Sequence, residues 1–239
     1  MKGRDAAHLP GEPDFVEELL ALCRAEGIDL SADQARLCHR HIELKLVWNR
    51  RSNLTRITQP EAILTKHLLD SLLPARWLPR QGRAIDVGTG AGFPGVPLKI
   101  LCPDLHMLLL ESHGKKVSFL KVLLPELGLD HFEVLHNRWE ELLGATAPVA
   151  PGSLSLITVR ALKLPGKRFA EFAAGTLEQG GILAYWGGPN DREDSSQLPA
   201  PALDLSALSD GKLEFGGCHE YRLPRNYGSR RLLLWQRRG

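Results

Sequence analysis

The segment AIDVGTGAGFPGVPL, residues 84–98, constrains this chain more than any other. It reads as a short apolar strand, a glycine-rich turn and the first turn of a helix. Gly88, Gly90, Gly92 and Gly95 fall within eight residues, directly after the carboxylate of Asp86. A turn bare of Cβ atoms lets a ligand approach the backbone, as in nucleotide-binding βα units.

Which nucleotide it takes is decided by charge. Gly90-Ala-Gly92-Phe-Pro-Gly95 satisfies the G-x-G-x-x-G dinucleotide pattern. A pyrophosphate, however, needs free N–H groups at the helix N-terminus, and Pro94 and Pro97 remove two of them. Asp86 would also set a negative charge beside a negative ligand. S-adenosylmethionine carries no phosphate, and its sulfonium and ammonium tolerate an acidic wall. The turn therefore favours a methyl donor over NAD, with a purely structural tight turn as the remaining alternative.

At 239 residues the chain can bury one sizeable α/β core with an appendage. Its 43% hydrophobic and 24% charged residues are those of an ordinary globular protein, and no 18-residue apolar run exists. The start, MKGRDAAHLPGEPD, lacks the apolar centre of an export signal, and Cys23, Cys38, Cys102 and Cys218 form no C-x-x-C. A cytoplasmic protein with free thiols, no metal and no membrane span is expected. The net charge of +2 hides clustering: residues 36–58 hold six Arg or Lys against one Glu, and 222–238 hold six Arg and no acid. Two such patches predict a polyanionic partner, touched by Lys45, Arg50, Arg51 and Arg56 from the first and by Arg225 and Arg230 from the second.

Residues 14–80 read as helical. Asp14 is the expected cap of a helix ended by Gly27, Ser31 caps a second, and Pro60 opens a third that Pro74 interrupts. From Ala84 the pattern alternates: strand 84–88, helix 95–101, strand 106–111, helix 114–127, strands 132–136 and 154–159, helix 165–178 and strand 182–186. That is a doubly wound parallel sheet. Residues 189–210 look like a surface excursion, and 213–221 with 230–236 an antiparallel pair closing the sheet edge. The division expected is 1–80 for the appendage and 81–239 for the catalytic part.

In such a sheet the ligand lies beyond the carboxyl ends of the strands. Glu111 follows the second strand, 23 residues past Gly88, where an acid grips a ribose diol. Asn137, Arg138, Trp139 and Glu140 follow the third, an aromatic in a polar setting that suits an adenine. Arg160 ends the fourth and suits a carboxylate, a phosphate or a base edge. His67 and Asp70 are spaced to face the cleft together, or to pack a helix. No hydrolase or P-loop motif is present.

IDVGTGAGFPGVPL, VWNRRSNLTRIT, KHLLDSL, LLLESHGKKVSFL, HNRWEEL and TVRAL resemble, in order, the RsmG or GidB family of bacterial small-subunit rRNA methyltransferases. The likeness runs from about residue 30 to 188, and two of its blocks lie outside the generic methyltransferase core. It implies a seven-stranded Rossmann-like class I methyltransferase sheet with an N-terminal helical appendage. It further implies S-adenosylmethionine as cofactor, 16S rRNA or the small ribosomal subunit as partner, and guanine N7 at nucleotide 527 as target. Donor-site residues implied are Gly88, Phe93, Trp139, Glu140 and Arg160, beside Gly90, Gly92 and Glu111 from the turn and strand reading. This sequence departs from the family at Glu111, where Asp is commoner, at Ser155 for Asp, and at Tyr185-Trp186-Gly187-Gly188 for Leu-Lys-Gly. Pro125 is expected to kink or shorten its helix.

Guanine N7 has an in-plane lone pair, so it attacks a methyl carbon without prior proton removal, and no general base is expected. A monomer is expected. The rivals are a methyltransferase for a small molecule or protein, a non-catalytic RNA-binding assembly factor on the same fold, and an NAD oxidoreductase.

Overall fold

A computed structural model describes residues 9–52, 57–142, 148–162, 166–187 and 205–239. Arg56, expected in the first basic patch, and most of the 189–210 excursion lie outside them. Among the described residues no helix is long and apolar enough to cross a membrane.

Helix α1 (Glu12–Ala25) begins two residues before Asp14, because Pro13 takes the first-turn position that needs no N–H; Asp14 sits in that turn as an acid at the positive helix end. Helix α2 (Ala32–Ser52) opens on a reciprocal cap, Gln34 N–H donating to Ser31 Oγ at 3.2 Å and Ser31 N–H to Gln34 Oε1 at 2.9 Å. The third helical rod is less regular than its sequence suggests. α3 (Pro60–Ile63) passes into a π segment (Leu64–Leu69), then α4 (Asp70–Leu72), and a 3-10 turn (Leu73–Trp77) at Pro74.

Strands β1 (Gly82–Val87), β2 (Leu105–Leu110), β3 (Phe132–Leu135), β4 (Leu154–Arg160) and β5 (Leu177–Gly187) run parallel, alternating with α5 (Gly95–Leu101), α6 (Gly114–Leu127) and α7 (Gly166–Thr176). The hairpin β6 (Leu213–Arg222) and β7 (Ser229–Arg237) then adds antiparallel strands, giving the order β3-β2-β1-β4-β5-β7-β6. Pro125 does not shorten α6. It lies in the last turn, where it removes only one intrahelical bond, and Gly128 closes the helix in the left-handed conformation at φ +59°.

Side chains alternate across the sheet. Ile85, Val87, Leu108 and Leu110 face α7 and its Phe169 and Phe172, while Ala84, Met107 and Leu109 face α5, α6 and the N-terminal helices. Phe15, Leu19 and Cys23 of α1 and Ile42 of α2 are fully buried in this second core, so the appendage shares the sheet's own interior. Each such side chain contributes on the order of 1.5–3 kcal/mol.

Candidate active site

The crevice of a doubly wound sheet opens where the strand order reverses, here between the carboxyl ends of β1 and β4. A cleft of about 450 Å³ lies there, within the size range of small-molecule sites. Seven of the eight expected donor-site residues line it: Gly88, Gly90 and Phe93 after β1, Glu111 after β2, Trp139 and Glu140 after β3, and Arg160 at the end of β4. His67 of the π segment joins them from the appendage.

Gly92 is the exception. It is buried outside the cleft, and a Cβ there would strike Val96 and come within 3.3 Å of His41 Nε2, so its bareness serves the packing of the turn on α2. Gly90 is the residue that opens the floor. Its φ is +64°, and a Cβ would meet nothing nearer than Gly88 O at 3.9 Å, so a side chain here would project into free cleft space. That unfilled cradle fits an adenosyl ligand lying on the backbone.

Asp86 does not form the acidic wall that its position in the sequence suggests. It is fully buried, accepting Gly95 N–H on Oδ2 at 2.9 Å and Thr158 Oγ–H on Oδ1 at 2.8 Å. Burial raises its pKa against the pull of those bonds. It braces the turn from inside the sheet. The wall is Glu111, 3% exposed, whose Oε2 accepts Gly90 N–H at 3.0 Å. Its Oε1 accepts both the N–H and the ring Nδ1–H of His113 at 2.9 Å. Burial would raise this carboxyl, but the His113 and Gly90 hydrogen bonds and the Lys116 ammonium, 3.6 Å away, hold it below the usual range. The His113 side chain that covers this carboxylate is 74% exposed. His113 and Lys116 were not legible as site residues, since nothing in Ser-His-Gly-Lys-Lys marks which side chains fold back over Glu111.

Phe93 is clasped between two imidazoles, His41 at 4.6 Å and His67 at 4.5 Å between ring centroids, both stacked. Lys45 Nζ and the Arg160 guanidinium each lie 5.6 Å from its centroid. Burial above all pushes His41 down to about 3, and Lys45 down to about 7 with the Arg160 charge assisting. His67 is held well below the usual histidine range by burial and then by the Lys45 and Arg160 charges. Both imidazoles are therefore uncharged at neutral pH, and the Nε2 of His41 serves as donor to Ala91 O at 2.8 Å. Trp139 lines the cleft and packs edge-on against Phe169 at 5.3 Å, which fixes its ring without help from a ligand.

The basic patches change character in three dimensions. Lys45, expected on the RNA-facing surface, is fully buried, because its helical position turns it toward Phe93. Arg230 is 10% exposed and turned inward to Asp70 at 3.9 Å, and Arg225 pairs with Glu18 at 2.6 Å and Glu61 at 4.0 Å. Arg231 and Arg238 take Glu220 and Glu214. Acids distant in sequence thus offset most of the second patch. Arg50 and Arg51 remain exposed at the end of α2. Among the described residues no group of three or more His, Cys, Asp or Glu could hold a metal ion.

A sheet of this order, a phosphate-averse glycine turn and an acid at the end of β2 together define a class I S-adenosylmethionine-dependent methyltransferase. The fold is that of a SAM-dependent methyltransferase from Aquifex aeolicus, with a TM-score of 0.56 at 17% identity over 77% of this chain and 97% of that one. Sequence narrows the class. The profile of the GidB family, rRNA small subunit methyltransferase G, matches residues 34–206. The chain is 45% identical to ribosomal RNA small subunit methyltransferase G 1 of Syntrophobacter fumaroxidans, over 93% of this chain and 97% of that one. It is 34% identical to the methyltransferase G of Stutzerimonas stutzeri, over 92% and 95%. The chain belongs to the rRNA small subunit methyltransferase G family.

Proposed function

We propose that this protein transfers the methyl group of S-adenosylmethionine to N7 of a guanine in 16S rRNA, at the family's nucleotide 527. The observation that supports the donor part of the reading is Glu111, a nearly buried carboxylate at the end of β2 tied to Gly90 across the floor of the cleft, and family membership supports the rRNA target. When bound, the donor supplies an electrophilic methyl on a sulfonium. Glu111 holds the ribose, the bare backbone at Gly90 admits the adenosyl group, and Trp139 and Glu140 border the base. Phe93, held between two stacked neutral imidazoles, puts an apolar ring in the cleft wall. The contribution of these residues is orientation, a term that reaches about 7–11 kcal/mol in well-aligned reactions.

Arg50 and Arg51 supply phosphate contacts to the RNA. The target base must be single-stranded or drawn out of its stack, since the deep major groove of A-form RNA hides N7. An rRNA substrate places the proposed enzyme in the cytoplasm. The test is mass-spectrometric mapping of small-subunit rRNA from cells with and without it. One methylguanosine in the fragment holding nucleotide 527 should disappear and return on complementation. An unchanged fragment sinks the reading, and activity on a substrate other than RNA would favour the small-molecule or protein rival.

A further inference from the structure

Asp70 belongs to the appendage, yet four strands of the sheet reach for it. Arg160 of β4 donates from Nη1 to Oδ2 at 3.3 Å. The Tyr221 hydroxyl of β6 donates to Oδ1 at 2.7 Å, and Arg230 Nε of β7 lies 3.9 Å from the same oxygen. Trp186 Nε1 of β5 donates to the Asp70 carbonyl at 2.9 Å. The same Nη1 also donates to Ser71 Oγ at 3.3 Å, and Nη2 lies 3.5 Å from His67 Nδ1 on a second side. His67, neutral through burial, accepts there as a charged imidazole could not. All of these side chains are buried or nearly so, with Asp70 at 6%.

A packing contact alone would not need this. Arg160 lines the donor cleft, and a bare guanidinium there would repel a sulfonium or ammonium. A carboxylate held by Tyr221 and shared between Arg160 and Arg230 offsets part of that charge, and its contact with Nη1, together with that of His67 on Nη2, sets the orientation of the guanidinium plane.

We propose that Asp70 is a positioning residue for methyl transfer: anchored by Tyr221, Arg230 and Trp186, it fixes the Arg160 guanidinium and masks its charge from the cationic donor. This rests on the methyl-donor reading above. It makes the helical appendage part of the donor site as well as the carrier of the RNA-facing Arg50 and Arg51.

The test is calorimetric titration of the purified full chain with S-adenosylmethionine and, separately, with S-adenosylhomocysteine, which lacks the sulfonium charge. Asp70→Asn should weaken the cationic ligand about tenfold and the uncharged-sulfur product about threefold, since only the former meets the uncovered Arg160 at close range. Combining Asp70→Asn with Arg160→Lys should cost less than the product of the single losses. Equal losses for the two ligands, or losses that multiply, would make Asp70 merely structural and overturn the proposal. Tyr221→Phe covers the case in which Asp70→Asn does not fold. It leaves both charges but frees Oδ1, and should weaken both ligands about two- to threefold; unchanged affinity for both would also overturn the proposal. If the unaltered protein binds neither ligand, the methyl-donor reading fails first, and that outcome is distinct from all of these.

Discussion

Acid should loosen this protein through His41 well before its carboxylates protonate. The imidazole projects from α2 and is fully buried against Phe93 and Phe119, and its pKa falls from 6.5 to about 3. The unfolded chain takes up the proton first, so the His41 contribution is constant above 6.5 and stability falls as pH drops through the window toward about 3. Between pH 7 and pH 5 the folded imidazole stays neutral while the unfolded one becomes almost fully charged. At about 1.4 kcal/mol per pH unit, that difference removes about 2 kcal/mol. For a chain of this length it lowers the melting temperature by about 4–8 °C. His41→Gln retains a donor for Ala91 O and cannot titrate. It will be less stable at pH 7 because the stack on Phe93 is lost, but the readout is the slope. Urea denaturation at pH 7 and pH 5 should give a loss about 2 kcal/mol smaller in the variant than in the unaltered protein. His67, also neutral in the fold, contributes in the same direction to both proteins. An identical pH loss in the two would refute the reasoning.

Gly90→Ala should fold, at a cost of about 1–2 kcal/mol for a left-handed alanine, while S-adenosylhomocysteine affinity falls at least about tenfold, because the new methyl enters cleft space; isothermal titration of the folded variant checks it. Glu111→Gln should weaken the donor by on the order of 1 kcal/mol by replacing charge-assisted bonds with neutral ones, and calorimetry showing unchanged affinity would place Glu111 outside the site. Changing Arg50 and Arg51 together to Ala should leave donor affinity alone and reduce the salt slope of RNA binding by roughly 1.4, about 0.7 per phosphate contact on single-stranded RNA. Gly95→Ala should destabilise the fold by about 1–3 kcal/mol, since its Cβ would sit 2.8 Å from Asp86 Oδ2; a melting temperature equal to that of the unaltered protein would show that the turn can give.

Local chemistry was enough to read the alternation of strands and helices, the N-terminal cap of α2, the start at Pro60 and the strand ends that carry Glu111 and Arg160. Each depends on neighbours within a few positions: an apolar run, a proline where an N–H is not needed, a glycine where φ must be positive. The motif blocks, including two outside the methyltransferase core, were also enough for the family. Partners distant in sequence were not legible. Asp86 looks like a ligand wall until Thr158, 72 residues away, and Gly95 are seen to consume its oxygens. Counting charges placed Lys45 and Arg230 on an RNA surface, whereas the fold buries one beneath Phe93 and turns the other onto Asp70. Asp70 itself, ambiguous on its helix, acquires a role only where β4, β6 and β7 converge on it. Charge in a sequence has sign but no depth. The tertiary structure decides which charges are desolvated, and desolvation determines whether a side chain binds a polyanion, stays neutral or holds another residue in place.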